Sequence, residues 1–157
     1  MSTRTGCYMM EILKLYGTPY ENGYTSGKYF SRWIKPDLSK PVAYLQKYPI
    51  FRSYVGKMMA ELEHRFDVYY AETIGKADGL GIDRTVYCAL MCTEAITDHD
   101  EHCSTIMIKN QDGSISLCHN EDDIYVEGNF VIAHVKEPDG TTFYTNDMYN
   151  MPFGNGF

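Results

Sequence analysis

Through the first hundred residues apolar positions recur every three or four, whereas from Cys103 onward they alternate. The first spacing is that of a helix with one buried stripe, the second that of a strand with one buried face. Met58, Leu62, Phe66 and Tyr69 form such a stripe and predict a long helix from about Ile50 to Lys76. Ahead of it, Thr18, Pro19 and Glu21 make a capping box with proline at the first helical position. That predicts a helix from Pro19 to Ile34, stopped before Pro36. Gly23 and Gly27 lie one turn apart on it and lower its propensity, so close approach of another backbone is expected there. The stretch "DGLGI" breaks the long helix, and Asp83 caps a third, "RTVYCALMCTEAI", ending near Ile96.

The alternating half begins with "CSTIMIKNQDGSISLCHNEDD", whose Asp-Gly pair signals a hairpin turn. A four-residue loop, Asn110–Gly113, sets Lys109 opposite Ser114 and Ile108 opposite Ile115. This register gathers four branched aliphatics on one face and leaves Cys103, Thr105, Asn120 and Asp122 on the other. It places Cys103 opposite Asn120, with Asp122 diagonal to it. A second hairpin, "NFVIAHV" and "TTFYTN" around "EPDG", follows. The expected class is α+β, helical first and then antiparallel strands.

A net charge of −7 leaves no basic stripe for phosphates, so nucleic acid is not an expected partner. No apolar run approaches the roughly 20 residues that span a bilayer, and no secretory h-region is visible, so no membrane partner is expected. Five cysteines, an odd number, point to free thiols in a reducing, cytoplasmic setting. Cys88 and Cys92 sit four apart on a helix among apolar neighbours and read as core.

Cys103 admits three readings. It can be a structural thiol at the head of a strand. It can join His99, His102 and His119 as a metal ligand, although His-x-x-His-Cys matches no common zinc pattern. It can be a nucleophile, which needs a base. No histidine is forced beside it, but a chain cut before Cys103 would supply an α-amine titrating near ~8. The polar "DHDEH" before it suits a scissile loop.

The stretch "GTPYENGYTSG" resembles the N-terminal signature of the acyl-coenzyme A:6-aminopenicillanate acyltransferase (isopenicillin N acyltransferase-like) family. "CSTIMI" followed by "DGSISLCHNED" resembles that family's nucleophile hairpin, and "YYAETIGKADGLGI" between them its helical segment. The resemblance spans nearly the whole chain. It implies a four-layer αββα N-terminal-nucleophile hydrolase, made as a zymogen and activated by autocatalytic cleavage between His102 and Cys103. Residues 1–102 would be the helical pro-segment and 103–157 the start of the catalytic sheet. Cys103 would be the nucleophile and its freed amine the base. Asp122 would hold the amine or thiol, Asn120 orient the cluster, and Thr105 supply a hydroxyl near the cut. His102 departs from the glycine that precedes the cut in the best-known members.

The implied activity is amidohydrolase or acyltransferase chemistry on a small-molecule amide or acyl-thioester through an acyl-enzyme, with no cofactor or metal. Residues 103–157 are fewer than that fold needs, so the remainder of the catalytic domain is an expected partner and the chain alone an inactive fragment. The competing class is a non-catalytic binding or assembly module that kept the helical half and the hairpin.

Overall fold

The computed structural model describes residues 12–96, 104–120, 130–148 and 155–156. Five helices and six strands follow in the order β1 Ile12–Leu15, α1 Pro19–Phe30, α2 Ser39–Lys47, α3 Pro49–Arg65, α4 Asp67–Leu80, α5 Arg84–Ile96, β2 Ser104–Lys109, β3 Ile115–Asn120, β4 Phe130–Lys136, β5 Thr142–Met148 and β6 Asn155–Gly156. The fold is mixed α+β.

Local signals hold where they are strongest. Thr18 Oγ1 accepts from Glu21 N at 3.3 Å while Glu21 Oε2 accepts from Thr18 N at 2.8 Å, closing the capping box on α1. Asp83 Oδ1 takes the amides of Thr85 and Val86 at the start of α5. α1 stops at Phe30, a turn earlier than the expected end at Ile34 before Pro36.

The single long helix expected over residues 50–76 is two. Phe66 leaves helical geometry (φ −139°, ψ 51°), and Asp67 Oδ1 accepts the Val68 amide, satisfying one orphan donor of the new helix. α4 then runs on to Leu80, and left-handed Gly81 closes it with Ile82 N bonding back to Ala77 O. Gly75 and Gly79 thus lie inside the helix. A Cβ on Gly23 would fall 2.0 Å from Glu72 O, and one on Gly27 2.3 Å from Lys76 O. Reciprocally, Gly75 and Gly79 meet Tyr20 O and Tyr24 O at 2.1 and 2.3 Å. Four glycines therefore let α1 and α4 touch backbone to backbone, and none of the four tolerates a side chain.

α5 packs on α3 through Val55, Cys88, Ala89 and Cys92, with Met58 and Met59 against them. The two cysteines are core. Burial pushes the Cys88 thiol up to about 12.

The first half also supplies a strand, which its helical periodicity does not predict. β1 pairs in parallel with β4, Ile12 facing Ile132 and Leu15 facing Val135, in a sheet ordered β1-β4-β5-β6. Val131, Ala133, Val135, Thr145 and Asp147 share its buried face. His134, Tyr144 and Asn146 share the half-buried to exposed one.

Candidate functional site

The candidate chemistry lies at β2–β3, a two-stranded sheet of its own. Cys103, Asp122, His99 and His102 lie outside the described residues. Thr105 and Asn120 lie in the ladder, where their backbone positions are defined.

The hairpin forms at the predicted turn with a register one residue away from the expected one. Lys109 pairs with Ile115, Ile106 with Cys118, Thr105 with His119 and Ser104 with Asn120. The cause is the loop. Gly113 N bonds Asn110 O at 3.1 Å, Asn110 N bonds Ser114 O at 2.8 Å, and Gly113 sits at φ +85°. This is a three-residue loop ending in a left-handed glycine rather than a four-residue one. Asp112 Oδ1 fixes it by accepting from Ser114 N and Oγ, at 2.9 and 2.6 Å. The β4–β5 turn repeats the device, with Gly140 at φ +90° and Asp139 Oδ1 accepting from Thr141 N.

A slip of one exchanges the faces of one strand relative to the other. Ile106 and Ile108 share a face with positions 116, 118 and 120, whereas Ile115 and Leu117 share the opposite face with Thr105 and Met107. The expected all-aliphatic face is therefore not formed. Asn120 stands across from Ser104 rather than Cys103, and Thr105 and Asn120 occupy opposite faces. Both faces are open: Ile106 is 59%, Met107 70% and Ile108 50% exposed.

Sequence reasoning missed a deeply buried ion pair. Lys76 on α4 and Asp147 on β5 are fully buried and form an ion pair, and Lys76 Nζ also donates to Met148 O at 2.9 Å. The ammonium lies 5.9 Å from the centroid of the Phe30 ring. Burial pushes the Asp147 carboxyl up, opposed by Lys76 and by the nearby Ser26 hydroxyl. Ser26 Oγ and Asp147 Oδ2 nevertheless complete no hydrogen bond. The available signal was a lysine between two helical glycines, in "IGKADG", on the stripe of Thr73 and Ala77.

No family model matches the chain, and no curated protein does either.

Two further polar groupings lie nearer the surface. Tyr16, just past β1, and His134 share a hydrogen bond of 2.7 Å, and the His134 ring stacks on Tyr144 at 4.5 Å, so β4, β5 and the residue after β1 contribute to one aromatic row. Beside it an open groove of about 440 Å³ is lined by Tyr16, Thr18, Glu21, Lys136 and Glu137. On α4, Asp78 is gripped by Arg84 and accepts from the Tyr20 hydroxyl at 2.8 Å. The Arg84 guanidinium holds the Asp78 carboxyl below the usual range. Among the described residues no group of three histidines, cysteines or acids is placed to hold a metal ion. Among them, too, no helix is long and apolar enough to cross a membrane.

Proposed function

We propose that the chain is the N-terminal portion of a self-processing cysteine amidohydrolase or acyltransferase of the N-terminal-nucleophile class. The observation that carries this reading is the position of Cys103 immediately before β2, which begins at Ser104 and turns back through an Asp-Gly loop. A cut before Cys103 would leave a thiol and a free amine on the residue preceding Ser104, which pairs with Asn120, the first residue of "NED".

The chemistry balances without a cofactor. The Cys103 thiol attacks the carbonyl carbon of His102, the C–N bond breaks, and the nitrogen leaves as the α-amine of Cys103. Water then hydrolyses the thioester, giving a His102 carboxylate and a free thiol. In the mature protein that amine takes the thiol proton. The thiolate attacks an amide or thioester carbonyl, and water or an amine removes the acyl group. Asp122 holds the amine and Asn120 orients the cluster. Thr105 stands on the opposite face from Asn120, so the two serve the strand head from different sides.

Two features support the larger αββα arrangement. The exposed aliphatics of β2–β3 need a cover, which the remainder of the catalytic domain would give. The β1-β4-β5-β6 sheet has one buried face and one bearing exposed Ile12 and Tyr144, as a sheet awaiting a second sheet would. A non-catalytic assembly module would use the same exposed hairpin, and one experiment separates the two. Intact-mass analysis of the longest natural form, with a Cys103→Ala control, should show a fragment beginning at Cys103 that the variant lacks. An uncut chain under all conditions, with Cys103 no more reactive to alkylation than an ordinary thiol, refutes the enzyme reading.

A further inference from the structure

The buried ion pair bridges the two sides of the proposed cut. Lys76 belongs to residues 1–102 and Asp147 to residues 103–157. They meet in the interior, where α4, held against α1 by its glycines, faces the end of β5. Taking both charges out of water is costly. The same volume filled by apolar side chains is often as stable or more so, which makes such a pair a device for specificity rather than for net stability. Its partners are unlike surface ones. Lys76 Nζ engages both the Asp147 side chain and the Met148 carbonyl, gripping side chain and main chain of one strand end at once. Ser26 of α1 is buried near the same carboxylate without completing a hydrogen bond to it, so both glycine-locked helices border the strand terminus.

A second contact crosses the same line. β1 is the partner of β4 at one edge of the sheet, so the helical half also contributes a strand. Backbone pairing of four residues sets direction and register but carries no side-chain code for where β5 must end. The Lys76 contact supplies one.

We propose that Lys76–Asp147 is the fastening by which the helical half fixes the end of β5, and that it holds the two halves in register when the chain between them is broken. Lys76 is here a positioning residue contributed by the helical half to the sheet. The occasion for such a break rests on the self-processing reading, but the fastening itself does not.

The test introduces the break from outside. A recognition sequence for a site-specific protease is placed between Ile96 and Cys103 of the full chain, and the folded protein is nicked. The two pieces should co-elute on size exclusion as one species. Lys76→Met or Asp147→Leu alone breaks the buried pair, and should weaken association of the pieces by roughly a hundredfold or more. The double variant Lys76→Met/Asp147→Leu removes both charges and should restore co-elution to within about tenfold of the parent. Singles that associate as tightly as the parent, or a double no better than the singles, overturn the proposal. Where a single variant does not fold, the double carries the test. A folded double whose nicked pieces stay together supports the pair, and a double that also fails to fold overturns it. Because the nick is made by an added protease, failure of self-cleavage and failure of the fastening are separate results.

Discussion

Replacing Gly75 by alanine adds one methyl group at the point where α4 meets α1. On an isolated helix this change is favourable by about 1 kcal/mol, because alanine loses less backbone entropy than glycine. Here the new Cβ would lie 2.1 Å from Tyr20 O and 3.0 Å from Tyr24 N, both backbone atoms that cannot rotate aside. An ordinary carbon–oxygen contact needs about 3.3 Å, so the helices must part by roughly 1 Å. Separation loosens all four glycine contacts together, and overpacking of this kind costs about 1–3 kcal/mol or more. Net of propensity, Gly75→Ala should destabilise by about 1 kcal/mol. Gly56 on α3 is the control, since a Cβ there meets nothing within 4 Å. Gly56→Ala should stabilise by about 0.5–1 kcal/mol. Urea unfolding followed by circular dichroism at constant slope reads both, with midpoints on opposite sides of the wild type. A Gly75→Ala midpoint at or above the wild-type value would refute the backbone-contact argument.

Two other outcomes follow from the same coordinates. Burial holds the Cys88 thiol up at about 12, so native alkylation at pH 8 should be roughly a thousandfold slower than for an ordinary thiol and recover in denaturant; fast labelling of Cys88 in the folded chain would contradict the α3–α5 packing. Asp78 has its carboxyl lowered first by Arg84 and then by Tyr20, against the opposing effect of burial. A carboxyl lowered in the folded state adds stability above its unfolded value near ~4 and loses it as pH falls through the folded one. Asp78→Asn should therefore cost about 0.5–1 kcal/mol at pH 7, less in high salt, and nothing at the acid end of the titration. A difference from wild type that persists unchanged in acid would show that the contact is not ionic.

What the sequence discloses is what short-range chemistry settles. The Thr18–Glu21 capping box, the Asp83 cap and the two Asp-Gly turns each involve residues at most a few positions apart, and all are found. Gly23 and Gly27 announce a close approach, yet their partners Gly75 and Gly79 hide in "GKADGLG", which reads as a breaker because Gly81 two residues on truly is one. The helix interruption at Phe66 has neither proline nor glycine to mark it. Hairpin register depends on whether the loop holds three or four residues, a choice made by one left-handed glycine. A single-residue error there moved Thr105 and Asn120 to opposite faces. The four residues of β1 and the Lys76–Asp147 pair are long-range, and periodicity carries no information about partners so distant.

The parallel pairing of Ile12 with Ile132 also has a temporal side. A ribosome delivering about 5–20 residues per second brings out β4 some ten seconds after β1 has emerged. Through that interval the helices can already be assembled while β1 waits with its hydrogen-bonding groups unclaimed. The nascent protein is then most vulnerable to pairing with a neighbouring chain, so slower elongation late in the message should raise the demand for chaperones.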